Sequence, residues 1–458
     1  MSYFLKKNTF LSLACVSLFM QTALAENSVS TDIQLPTKKK VSDSKLSGDF
    51  GFQSNALVQD VGEVVGNKHF GDLNLNYHSL VDGNVYKKFE VSARVNNEEE
   101  LMYSFKEAMI EYRYSNSSLY LGRRVLPWSQ VDEAWGLGRV NNRVNFDYFE
   151  PGQEGLIGLF YDKKFDSGFT MALYGSFIYV PELNPARQIE KDARKVTCKN
   201  PWCKPQPESV EVEGKNVPIY YDVDYPEISD VVFRYSSGLK FGYNKNSFST
   251  DAFYIRKPEN SISVIAEITA EADLSQINVE ATPQFYYHDV SGANVNYDLN
   301  DKFSVYGSAI SIIPSKYPDG DQPYIEYTGL KPRKIKEEYL SLGTKYTNDD
   351  LVTKISYIAR VSEFDRKNEA LAEYPRWNQA VQFSYGKRIT RKVDIFLDYK
   401  YDMLTEDRLT MFKANYRFKP SIIGSLGINI IGTNPDEKSY WSDFENNDSV
   451  YSSLKYIF

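Results

Sequence analysis

The feature that most constrains this chain is a period-two alternation of apolar and polar residues. Phe89, Val91, Ala93 and Val95 alternate with Lys88, Glu90, Ser92 and Arg94. Val393, Ile395, Leu397, Tyr399 and Tyr401 alternate with Lys392, Asp394, Phe396, Asp398 and Lys400. Side chains on a strand point to opposite faces in turn, so each segment offers one apolar and one polar face. A soluble sandwich alternates too, but seldom sets this many charges on strands this long.

Applied along the sequence, the pattern predicts strands at about 47–58, 69–79, 85–95, 105–114, 118–126, 154–163, 168–180, 228–243, 247–257, 283–298, 302–313, 336–347, 351–361, 376–388, 391–403, 407–418, 421–432 and 448–458. The links between them also alternate. Links such as 80–84, 115–117, 299–301 and 389–390 are short, whereas 127–153, 181–227, 258–282 and 433–447 are long. Only 404–406 breaks the rhythm. Short turns at one end and long loops at the other are the layout of a transmembrane antiparallel up-and-down β-barrel. The expected fold is therefore all-β, with about 18 strands, or 16 if one hairpin is miscounted. An even count puts both ends of the barrel chain on one side.

Composition fits this reading. The 458 residues include 35 Tyr, 27 Phe and 5 Trp, so 15 % are aromatic. Mean hydropathy is −0.46, which argues against a helical membrane protein only, because a barrel hides alternate polar residues in its lumen. A net charge of −8 argues against a nucleic-acid protein, which needs a concentrated basic footprint. Trp128, Trp377 and Trp441 fall near strand–loop junctions and are expected in an interfacial aromatic girdle.

The first residues read as a secretory signal. Lys6 and Lys7 precede an apolar run from Phe10 to Met20, followed by Ala23-Leu24-Ala25. Cleavage is expected before Glu26, and the run is too short to span a bilayer, which takes about 20 apolar residues. Cys15 lies inside the run and is not expected to carry lipid. Three units follow: a signal peptide at 1–25, a periplasmic N-terminal tail at 26–46, and the barrel at 47–458 with long external loops 127–153 and 181–227.

Counting back by twos from the end gives Phe458, Tyr456, Leu454, Ser452 and Val450. This resembles the C-terminal strand of bacterial outer-membrane β-barrels, which ends in Phe with alternating apolar residues. The resemblance implies that the barrel-assembly machinery reads Phe458, Tyr456 and Leu454, and that the protein resides in the outer membrane of a Gram-negative bacterium, among outer-membrane lipid and lipopolysaccharide.

In layout the chain is similar to porins, including the 18-stranded specific porins, though no motif matches residue by residue. In those porins the third external loop folds inward and narrows the channel. Here that loop is 127–153, and Asp132, Glu133, Asp147 and Glu150 face Arg139 and Arg143 as constriction candidates. Opposed charges in a narrow lumen with low-dielectric walls set a strong transverse field. The phase of the strands turns Arg94, Arg113, Arg124, Glu107, Glu111, Arg360, Lys400 and Arg417 inward, because a cation on the lipid face costs roughly 2–4 kcal/mol at midplane.

Cys198 and Cys203, spaced C-x4-C in loop 181–227, are expected to form a disulfide outside the cytosol. Metal binding is not expected there, since the pair has no nearby His. The three histidines, His69, His78 and His288, sit in no catalytic motif. Neither an enzyme nor a cofactor is expected, and no room precedes the first strand for the plug of a TonB-coupled receptor. The function predicted is passive diffusion of small hydrophilic solutes, with homo-oligomers compatible with the pattern. The alternative is a non-conducting surface protein, an adhesin, receptor or lattice contact anchored by its barrel.

Overall fold

The computed structural model describes residues 43–58, 67–81, 83–97, 100–185, 187–190, 195–198, 200–203, 206–315, 329–330, 335–362 and 374–458. The expected signal peptide, and the tail up to residue 42, lie outside them.

Eighteen strands form one closed antiparallel sheet. They are β1 (Asp43–Leu57), β2 (Asn67–Val81), β3 (Val85–Asn96), β4 (Leu101–Arg113), β5 (Ser117–Arg124) and β6 (Leu156–Lys164). Then come β7 (Phe169–Ile178), β8 (Phe233–Lys245), β9 (Phe248–Pro258), β10 (Tyr287–Asn300), β11 (Phe303–Pro314) and β12 (Glu337–Thr347). The last six are β13 (Leu351–Arg360), β14 (Gln379–Thr390), β15 (Val393–Asp402), β16 (Arg408–Lys419), β17 (Ile422–Gly432) and β18 (Ser449–Ile457). Each pairs with its sequence neighbours, and β18 pairs with β1 in the register Asp49↔Ile457 to Leu57↔Ser449. Gly48 and Phe458 exchange backbone hydrogen bonds of 3.0 Å at the seam. Closure leaves no strand edge, which is what lets a sheet stand in hydrocarbon with every backbone group paired.

All eighteen predicted strands are present, so the count is 18 and not 16. β1 begins at Asp43, four residues ahead of the expected start. Short turns and long links alternate as the sequence implied. Two turns place Gly83 at φ 74° and Asn246 at φ 53°, the left-handed region that Gly and Asn tolerate best.

The two faces of the wall differ. Leu121, Leu340, Leu342, Ile355, Leu426 and Leu454 point outward and are exposed. Positions of opposite phase, including Ser308, Ser341, Ser356 and Ile358, are buried against the interior. An apolar exterior is the surface that a barrel presents to lipid.

Two features were not read from the sequence. Outside the barrel wall, the long links build a second sheet in the order Ser209–Val212, Lys215–Val223, Ile277–Gln284, Ser263–Ala270 and Gly329–Leu330. The run Ser263-Val-Ile-Ala-Glu-Ile-Thr-Ala270 carries the same two-residue alternation, but it falls in a segment assigned to a loop, 258–282.

The second feature is an apolar core inside the barrel. Wall residues Ile255, Val290, Ile310, Tyr339, Ile358 and Leu409 pack against Leu126, Val131, Trp135, Trp377, Trp441 and Phe444 from the links. Trp128, Trp377 and Trp441 are 5 %, 1 % and 0 % exposed. They are core residues, not an interfacial girdle, because the links that carry them fold into the barrel.

Candidate functional site

The link from β5 to β6, residues 125–155, folds into the barrel. Its base is clamped where the Leu126 N–H donates to Asn141 Oδ1 and Asn141 Nδ2 donates to the Leu126 carbonyl, both at 2.8 Å. One helix follows, α1 (Gln130–Trp135), capped by Ser129, whose hydroxyl accepts from the Asp132 N–H. Ser at this position satisfies an amide that the helix cannot. Gly136 ends the helix at φ 60°, the left-handed conformation that glycine adopts at little cost.

Polar side chains of β10, β11 and β12, none of them a sheet neighbour of β5 or β6, tie this helix to the wall. The Gln130 N–H donates to Asn294 Oδ1 at 3.1 Å, and Asn294 Nδ2 donates to the Trp128 carbonyl at 2.7 Å. Gln130 Nε2 reaches Asn296 Oδ1 at 2.7 Å. The Val131 N–H donates to Ser308 Oγ at 3.2 Å and Trp135 Nε1 to Ser341 Oγ at 3.1 Å. These wall residues were not singled out in the sequence. Their only signal is small polar side chains at inward phase where a pore wall would tolerate charge.

The six charges expected at the loop divide by environment. The Asp132 carboxylate is buried and accepts the backbone N–H groups of Arg139 and Val140 at 2.8 and 2.9 Å. It shapes the loop and does not face water. Arg143 is turned back as well, donating Nη1 to the Gly136 carbonyl at 2.8 Å. Arg139 pairs with Glu337 of β12 at 2.5 Å. Asp147 accepts the Phe149 N–H at 2.8 Å. Glu150 is exposed and meets Lys413 of β16 at 3.1 Å.

Glu133 is also exposed, and among the described residues its carboxylate makes no ion pair. Though open to the lumen, it is ringed by wall. That surrounding protein, with Asp132 beside it, pushes its carboxyl up to about 7 against the pull of Lys240 and Lys354.

Most of the expected inward charges are paired, either with the neighbouring strand or with a residue two positions along their own strand. Arg94 meets Asp72 at 2.5 Å, Arg113 meets Glu111 at 2.9 Å, and Arg124 meets Asp162 at 2.7 Å. Glu107 takes Lys88 at 2.5 Å and accepts the Val125 N–H at 3.0 Å, so it also holds the inserted loop. Lys400 lies 3.4 Å from Asp398 and Arg417 4.0 Å from Asp394. Arg360 is buried, with Nε on Ser362 Oγ at 3.1 Å.

Three further links lock the inserted loop in place. Arg376 donates Nη1 to the Gly136 carbonyl at 2.8 Å, and its guanidinium lies 5.3, 5.8 and 5.0 Å from the rings of Tyr148, Tyr440 and Trp441. Such stacking over aromatic faces attracts a cation. Trp135, Trp377 and Trp441 follow one another at ring distances of 5.7 and 5.3 Å. Cys198 and Cys203 are joined as a disulfide. Between them Trp202 packs on Tyr148, Phe149 and Phe444, and the Pro201 carbonyl accepts from Asn447 Nδ2 at 2.9 Å. Beside this assembly a cavity of about 230 Å³ remains between α1, the Tyr148–Pro151 segment, Arg376–Trp377, and the inner faces of β15 and β16.

The chain is thus a porin-like, closed 18-stranded β-barrel with an inserted loop. No protein-family model matches its sequence, and no curated protein matches it. Among solved structures, it is similar to Salmonella typhi OmpF in complex with daunomycin, at 12 % identity over 91 % of this chain and 97 % of the other, with a TM-score of 0.43. It is similar also to a mutant of the Rh. blastica porin, at 9 % identity over 91 % and 100 % of the two chains, TM-score 0.40. Pseudomonas aeruginosa OccK11 aligns at 8 % identity over 91 % and 96 %, TM-score 0.47. Likeness at this level carries neither substrate nor site residues.

Proposed function

We propose that the protein is a channel of the Gram-negative outer membrane, through which small hydrophilic solutes diffuse passively. The observation that carries this reading is the 125–155 link. It enters the barrel, is hydrogen-bonded to β10, β11 and β12, and sets Glu133 and Glu150 toward water near Lys240, Lys354 and Lys413. Acids on the inserted loop and cations on the wall give a transverse field of the kind that selects ions in a narrow lumen. No covalent chemistry, cofactor or metal is required. In this reading the short turns face the periplasm, the long links face outward among lipopolysaccharide, and the last strand with Leu454, Tyr456 and Phe458 is what the assembly machinery reads.

A second reading is favoured by one specific observation, the aromatic core of Trp135, Trp377, Trp441, Tyr440 and Phe444 inside the barrel. A lumen filled in this way suits a non-conducting anchor whose outer sheet meets a partner.

One experiment separates the two. Protein refolded without residues 1–25 is inserted in a planar bilayer, and conductance and reversal potential are measured in a KCl gradient. Discrete open steps support the channel. Folded protein that inserts and never conducts overturns it and leaves the anchor.

A further inference from the structure

The cavity beside the inserted loop has walls of three kinds. Glu133 contributes a carboxylate with no ion partner among the described residues, and Lys400 contributes an ammonium. Lys400 is held only loosely, 3.4 Å from an Asp398 carboxylate that already accepts from Gln382 at 2.8 Å and from Ser384. Trp135, Phe149, Leu409 and Met411 are apolar. Arg376 also touches the cavity, but its guanidinium is committed to the Gly136 carbonyl and to the rings of Tyr148, Tyr440 and Trp441.

We propose that this cavity is a binding site for a small zwitterion with an apolar side chain, a free amino acid being the simplest member. The ammonium of such a solute meets Glu133, its carboxylate meets Lys400, and its side chain lies on Trp135, Phe149, Leu409 and Met411. A simple cation would face Lys400 and Arg376, and a simple anion Glu133 and Asp398. A neutral sugar can hydrogen-bond both charged groups through its hydroxyls, but it brings no opposite charge to either and no apolar side chain to the aromatic wall. The volume, about 230 Å³, falls below the roughly 300–1,000 Å³ of sites for drug-sized ligands, so the occupant is small. The inference rests on the reading that solutes pass through this barrel, and it names the class that the passage retains.

The test reads binding and conduction separately. Full-length barrel refolded in detergent is titrated with leucine, leucinamide, 4-methylpentanoate and glucose, and the fluorescence of Trp135 and Trp377 reports occupancy. Trp135→Phe and Trp377→Phe, measured singly, assign the signal to the cavity. Leucine is expected to bind about tenfold or more tightly than the other three, the worth of one charge-assisted hydrogen bond. Glu133→Gln should bring leucine down to the level of 4-methylpentanoate while leaving that acid's binding no weaker. Heat-modifiable gel migration establishes that the variant is folded. Equal binding of all four probes, or leucine binding unchanged in Glu133→Gln, overturns the proposal. Leucine binding in a barrel that never conducts in the bilayer keeps the site and removes the channel, whereas conduction without selective binding keeps the channel and removes the site.

Discussion

Trp377 donates its indole N–H to the carbonyl of Trp135 at 3.3 Å, and the two rings meet edge to face with centroids 5.7 Å apart. The first residue comes from the link after β13 and the second from the helix inside the barrel, so one contact joins two insertions. Both side chains are at most 1 % exposed.

Trp377→Ala removes that contact and leaves a hole in the inner core. Large-to-small changes of a buried aromatic cost about 3–5 kcal/mol. The loss should fall on the loops, because the backbone of the wall is untouched. Single-channel recordings of the variant should show higher mean conductance and more current noise, with the barrel's heat-modifiable gel mobility retained. Conductance equal to the parent would show that the core does not limit flow.

Asp132→Asn tests the loop scaffold. The carboxylate accepts one backbone N–H on each of its oxygens, whereas an amide keeps a single acceptor oxygen and turns its NH2 toward the other N–H. A cost of roughly 1–3 kcal/mol is expected, seen as faster protease cleavage within 125–155 while the strands stay protected. Arg143→Ala should act the same way, since its guanidinium is tied to Gly136. Neither should shift ion selectivity as far as Glu133→Gln does.

Selectivity should depend on pH through Glu133. Its carboxyl is pushed up to about 7 by the surrounding wall and by Asp132. A raised carboxyl is neutral below that point and negative above it. Cation preference, read from the reversal potential, should therefore rise as pH increases from about 5 to about 9. Glu133→Gln should remove that step. A step that survives the substitution belongs to another group.

Lys413→Gln removes the cation that meets Glu150 at 3.1 Å. An exposed pair of this kind adds little stability, about 0–1 kcal/mol, so folding should be unaffected. The freed carboxylate should shift the reversal potential toward cation selectivity, and Glu150→Gln should shift it the other way.

Much of the barrel was legible because its rule is local. Alternation with period two follows from strand geometry, and links of 80–84 and 389–390 against 181–227 set the up-and-down order. An inward phase for Arg94, Glu111 and Lys400 was an expectation that followed from the cost of charge in lipid. Their partners did not. Arg139 meets Glu337, and Glu150 meets Lys413, across separations of 198 and 263 residues. The second sheet escaped notice because short alternating runs inside a long link look like loop.

What the sequence determined by itself is therefore the wall: its strands, their faces and their order, since each strand carries its own pattern. What only the tertiary structure decided is the content of the barrel. Asp132 and Glu133 are adjacent carboxylates with no local difference, yet one is buried under two backbone N–H groups and the other is exposed. Trp377 and Trp441 sit at strand ends in the sequence and in an inner core in space. Insertion of a loop depends on polar and apolar contacts with strands far away in the chain, and no local period records those contacts.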